Sequence, residues 1–252
     1  MKKSIFLLLC SACFLFVQAQ DNSYQQPSKA ATAYREFRQK TTVPPYGLEN
    51  VKKQIAAIKD KPGESGDEGI SALTDAVYQS LSLREKFTYA MIHPEMYAQN
   101  CDINMIHPNE HKEIFGYLVS EGDEETWSSR QLDFLRSNRD SVMALIRESA
   151  NRSRRMGVNY KNALVEMDAW EMIPYLIDFY TRDKKDKDLL TVLMLLMKRG
   201  KFIPFTRSAS YKKLYGIDGN HETALEYNSA NEALTIARAR AFYKERKPAG
   251  AQ

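Results

Sequence analysis

Three of the four histidines of this 252-residue chain and one of its three cysteines fall within nineteen positions: His93, Cys101, His107 and His111. Imidazole nitrogen and thiolate sulfur are the ligands that zinc and similar divalent metals prefer, and Glu95, Asp102 and Glu110 stand close enough in sequence to complete or orient such a set. A bound ion there would activate water, so the constellation defines one functional candidate, a metal-assisted hydrolase with zinc or another divalent metal held by His93, His107 and His111. The spacing is not a demanding one. His107 and His111 are four apart, but Pro108 fits the first turn of a helix and leaves His107 at or before its cap. The chain contains no HExxH and no paired CxxC. A plainer reading covers the same letters. Met91-Ile92-His93-Pro94 and Met105-Ile106-His107-Pro108 echo each other fourteen residues apart, each as a turn that starts an element at proline, and His107 with Glu110 imitates a capping pair. Cys101 by itself behaves as a small buried hydrophobe.

Other chemistry-bearing residues are weaker. Gly63-Glu64-Ser65-Gly66 lacks the glycine after Ser65-Gly66 that a nucleophile elbow needs, because Asp67 stands there. Asp183/Asp186/Asp188 and Asp218/Asn220/Glu222 carry oxygen ligands without the order of a calcium loop, and read as turns and caps. The aromatic residues Tyr175, Phe179, Tyr180, Phe202, Phe205, Tyr211 and Tyr215 are expected in the core, with an aromatic ligand or peptide groove as the alternative.

The elements that must position these residues are helical. Lys2 and Lys3 precede the apolar run from Ile5 to Val17, and Val17-Gln18-Ala19 offers the small residues of a cleavage site, so residues 1–19 read as a signal peptide cut before Gln20 or Asp21. The apolar run is shorter than the ~20 residues that span a bilayer, and no transmembrane anchor is expected in the mature chain. The protein is expected to be exported, to the periplasm or the exterior, with a lipoprotein acylated at Cys13 as the alternative. Without Lys2 and Lys3 the chain keeps 34 basic and 32 acidic side chains. That near-neutrality gives no electrostatic case for nucleic acid. Cys10 and Cys13 leave with the signal, so no internal disulfide is available and stability must come from an apolar core.

Residues 20–60 form an N-terminal extension with helices over 29–40 and around Val51, Ile55 and Ile58. Residues 61–69, with three glycines and a proline, read as a flexible linker, and 70–252 as the main helical domain. Within it Ser82-Leu83-Arg84-Glu85 is a capping box, and the same grammar recurs at Ser128-Ser129-Arg130-Gln131. Gly157 is expected to stop a helix, Asn159 and Asp168 to cap helices, and Pro174 to kink one. Leu189 to Met197 is apolar all round and belongs in the interior. A long helix closes the chain from about His221. No segment alternates long enough to predict a strand.

Residues 168–200, with cap, proline-containing amphipathic helix, charged turn, buried helix and glycine, resemble a single HEAT-type repeat. The likeness covers about thirty-three residues with no second copy at a regular period, and it implies stacked antiparallel helix pairs. The fold class expected is therefore all-α, with antiparallel helix pairs forming an irregular superhelix or bundle. The function expected is binding or scaffolding of a protein or peptide partner, without a cofactor.

Overall fold

The structure, a computed structural model, describes residues 26–59, 61–62, 68–99, 106–119 and 124–247. Twelve α-helices dominate these residues. In chain order they are α1 (Lys29–Gln39), α2 (Leu48–Ile55), α3 (Asp75–Ser80), α4 (Leu83–Ile92), α5 (Ser129–Ser137), α6 (Arg139–Ser153), α7 (Val158–Glu166), α8 (Ile173–Thr181), α9 (Asp188–Arg199), α10 (Ile203–Thr206), α11 (Ala209–Tyr215) and α12 (Ser229–Arg246). The fold is mainly α. Local sequence explains most helix starts: Ser28, Thr74, Ser82, Ser128, Ser208 and Asn228 each accept a backbone N–H with their side chain, and at Ser82 and Ser128 the reciprocal bond from Glu85 and Gln131 completes a capping box.

Helix α9 is the centre. Every residue from Leu189 to Met197 is buried, as its all-round apolarity requires, because α7, α8, α10 and α12 pack around it. Gly200, just past its end, has to be glycine for packing: a Cβ there would lie 2.2 Å from the Phe242 ring of α12. The left-handed backbone then falls on Lys201 (φ 51°) rather than on the glycine.

The first turn of α9 carries the most consequential charges in the molecule. Arg38 of α1, 2% exposed, places Nε 2.9 Å from Asp188 Oδ1 and Nη1 2.6 Å from Glu110 Oε1. Lys161 of α7, wholly buried, sets Nζ 2.8 Å from Asp186 Oδ1 and 3.4 Å from Asp188 Oδ2. Arg35 Nε closes on Glu110 at 2.8 Å. Ions buried this deeply are tolerable only when each finds a counter-ion and hydrogen bonds, which is what these six groups supply one another. Burial works against the ionised Asp188 carboxylate, but the charges of Arg38 and Lys161 outweigh it and hold its pKa below the usual range. Asp186 and Asp188 are thus not part of a solvated turn, as expected; only Asp183 of that run behaves so, accepting the Lys185 backbone N–H.

Short strands, which no alternating segment predicts, accompany the helices of this mainly α chain. β1 (Lys61–Pro62), β2 (Glu68–Ile70), β3 (Met96–Ala98) and β5 (Glu125–Thr126) pair antiparallel in the order β1-β2-β3-β5, and β4 (Glu113–Phe115) pairs with β6 (Ala224–Glu226). At two or three residues each they are too short to show an alternating pattern. The flanks of the 61–69 stretch belong to this sheet, while residues 63–67 lie outside the described ones.

Other local expectations also change. Gly157 caps the start of α7 rather than ending α6, and a Cβ on it would meet the Thr42 backbone nitrogen at 2.2 Å. Asn159 is inside α7, not at its cap. Asp168 has a left-handed backbone (φ 49°) ahead of a 3-10 turn, Trp170–Met172, and Pro174 sits in the first turn of α8, where its missing N–H costs nothing, so it starts that helix without kinking it. The last helix begins at Ser229, because β6 occupies the residues before it.

Removing one member of the Arg38–Asp188–Lys161 network strands the others. Asp188→Asn is expected to destabilise the fold by about 3 kcal/mol or more, whereas Glu49→Ala, which breaks the exposed Glu49–Lys52 pair, should change stability by less than about 1 kcal/mol. Urea denaturation of both variants against the parent checks this; equal losses would refute the assignment.

Candidate functional site

The histidines go to different surroundings. His93, at the end of α4, sets Nε2 2.6 Å from the Ser71 carbonyl and packs its ring against Tyr89. His107 has Nδ1 2.8 Å from Glu113 Oε2 and lies edge-on to Phe115. His111 is in a 3-10 turn (Glu110–Lys112) and borders a polar cavity of about 450 Å³ shared with Glu113, Lys187, Lys213 and Tyr227. Its Nδ1 is buried without a hydrogen bond. Among the described residues no three His, Cys, Asp or Glu side chains converge as a metal site, and Cys101 and Asp102 lie outside those residues.

Of the three carboxylates near these histidines in sequence, the two among the described residues, Glu95 and Glu110, are already committed. Glu110 is claimed by Arg35 and Arg38. Glu95, 1% exposed, takes Arg130, the Ser128 hydroxyl and the Tyr89 hydroxyl, and its backbone N–H donates to Gln131, so it acts as the knot joining α4, β3 and α5. Burial raises the Glu95 pKa, but the bonds from Arg130, Ser128 and Tyr89 win and leave it below the ordinary value.

A larger concavity lies on the other side of α7. It encloses about 1010 Å³, at the upper end of the range for small-molecule sites. Val158, Asn159, Asn162, Val165 and Glu166 give one face of α7 to it, so one wall runs the length of that helix, roughly 12 Å at 1.5 Å per residue. The end of α4 adds Ala90, Met91 and Ile92, α5 adds Leu132, and Leu118, Trp127 and Leu195 complete an aliphatic floor with one indole. Half-exposed Val43 stands at the edge. Two features build this wall from sequence: Gly157 lets the 40–42 backbone lie against the start of α7, and the Asn159 amide stitches it there, bonding the Thr42 N–H and carbonyl and the Met91 carbonyl at 2.9–3.0 Å.

The rim is charged at one end. Lys198, Arg199 and Lys201, at and beyond the C-terminus of α9, all border the cleft, with Glu166 and Glu125 as its acids. Arg199 and Arg136 both pair with Glu166, at 2.6 and 3.0 Å. Lys198 Nζ instead lies over the rings of Tyr215 and Tyr117, 4.3 and 4.9 Å from their centroids. Burial, then Tyr117 and Tyr211, push the Tyr215 phenol well above its ordinary pKa, so the Tyr215 ring under Lys198 is neutral.

Nothing in the histidine spacing pointed to this cleft. Its α7 stripe looks like any core stripe, and Lys198-Arg199-Gly200 reads as a helix stop. The aromatic groove considered at 175–215 does not form: Phe179, Tyr180, Phe202 and Phe205 are buried in the core. Comparison with protein-family models, characterised proteins and solved structures gives no match to this chain.

Two measurements follow. Glu95 has a folded pKa below its unfolded value near 4.3, so its stabilisation is complete above that pH and is lost as pH falls through the folded value. Glu95→Gln should therefore flatten the acid limb of stability against pH, by up to about 1.4 kcal/mol per pH unit, in urea titrations from pH 5 to 2; an unchanged slope would show that Glu95 does not titrate with unfolding. Elemental mass spectrometry should find the same metal content in the protein and in its His93→Ala/His107→Ala/His111→Ala variant, and a stoichiometric ion lost from the variant would reverse that expectation.

Proposed function

We propose that this chain is an exported binding protein, its helices packed as antiparallel pairs in an irregular bundle, and that the cleft along α7 is where its ligand binds. The observation that carries the reading is the cleft itself: about 1010 Å³ of concave, largely aliphatic surface with charged groups confined to its rim. Apolar side chains are rarely left lining so large a hollow unless something else covers them. Export rests on the sequence of residues 1–19, and among the described residues no helix is long and apolar enough to cross a membrane. Binding is favoured over catalysis because no histidine lines the cleft and, of its two acids, Glu166 is held by Arg136 and Arg199.

Native mass spectrometry of protein recovered from its own envelope or medium is expected to show a non-covalent adduct, released on denaturation, and a mature N-terminus at Gln20 or Asp21. Val165→Phe, which projects a ring from α7 into the cleft, should abolish the adduct at a cost of about 1–3 kcal/mol in stability. Bare protein in both forms would refute ligand binding, and a retained residue 1 would refute export.

A further inference from the structure

We infer that the ligand of the α7 cleft is a single-chain amphiphile with an anionic head group, its hydrocarbon tail along α7 and its head at Lys198 and Lys201. This rests on the cleft being a ligand site, and it adds the chemistry of the occupant.

The tail follows from how the floor spends its polar groups. A peptide laid in the cleft would bury amides, each needing a partner. The floor has little to offer them: the Trp127 indole N–H already donates to the Ala90 carbonyl at 2.7 Å. The Asn159 amide is consumed on both atoms, by Thr42, Tyr160 and Met91. The rest of the lining is mostly apolar, with Ile92, Leu118, Leu132, Val158, Val165 and Leu195, and its other uncharged polar members are Thr41, Tyr117, Thr126 and Asn162. A hydrocarbon chain asks for no hydrogen bonds and gains from every methylene it buries.

The head follows from the charge at the end of α9. The C-termini of α7 and α9 meet there, where Glu166 is already held by Arg136 and Arg199. Lys198, which lies over the Tyr215 and Tyr117 rings, and the exposed Lys201 also border the cleft and pair with no carboxylate among the described residues. Complementarity therefore selects a carboxylate or similar anion.

Trp127 lines the cleft, so in a Trp170→Phe background its emission reports occupancy. Laurate, dodecyl maltoside and dodecyltrimethylammonium, each below its micelle concentration, present one tail with anionic, neutral and cationic heads. Laurate is expected to bind at least about tenfold more tightly than the other two. Lys198→Gln/Lys201→Gln, at a half-exposed and an exposed position, should remove that preference while leaving maltoside binding unchanged. Lys201→Gly should raise the thermal midpoint and still weaken laurate. Equal affinity for all three heads, or a preference that survives the double variant, overturns the anionic head while the cleft stands as a hydrocarbon site. If none of the three binds and native mass spectrometry still shows an adduct blocked by Val165→Phe, the tail assignment is wrong but the cleft is a ligand site. If neither is seen, the cleft reading fails with it.

Discussion

The burial of Asp188 is the constraint on which the rest of the structure hangs. A carboxylate at the first turn of a helix is favourable in itself, because the helix N-terminus carries a partial positive charge. Here that turn is inside the protein, and the dipole alone does not compensate for lost water. The remainder comes from Arg38 and Lys161, which belong to α1 and α7. The same charge that begins α9 therefore fixes where α1 docks and how α7 lies beside it. Glu110 extends the arrangement by holding the other side of the Arg38 guanidinium, which brings the strand after it, β4, against α9.

Placing α7 in this way makes the cleft possible. One side of the helix faces the core, with Tyr160, Ala163 and Leu164 fully buried. The side bearing Val158, Asn159, Asn162, Val165 and Glu166 is left to line a hollow between α4, α5 and the end of α9. Two knots keep the hollow from collapsing. Asn159 ties the 40–42 segment and α4 to one end of α7, and Glu95 ties α4 to α5 through Arg130 and Ser128. The first contains no net charge and the second pairs a buried carboxylate with one arginine, so they differ in their response to pH.

Much of the helical layout was legible in the sequence, and for identifiable reasons. Capping at Ser82 and Ser128 is a local interaction among four residues, so it can be read without knowing the fold. The apolarity of residues 189–197 predicts a central helix because no other environment accepts it. What could not be read is what depends on distant partners. Asp186, Lys161 and Arg38 look like solvated charges until their partners, up to 150 positions away, are placed beside them. Asn159 has the composition of a cap, yet its amide is spent on long-range backbone bonds. The short strands are pairings of two or three residues that leave no periodic trace, and the cleft is a relation between six segments that no single stretch contains. The histidines drew notice by proximity in sequence, which the fold does not preserve as proximity of ring nitrogens at one point.

The link between Arg38 and Asp188 also sets an order of events for the newborn chain. The two are 150 residues apart, so α1 emerges early and has Glu110 within reach 72 positions on, but lacks Asp188 until the start of α9 is made. Closing so long a loop has a large entropic cost that grows only slowly with length, and contacts of this range make folding slow relative to helix formation. A chain built this way completes its buried charge network only once the start of α9 has been made, so a fragment ending before residue 188 would have to bury Arg38 and Lys161 without that carboxylate.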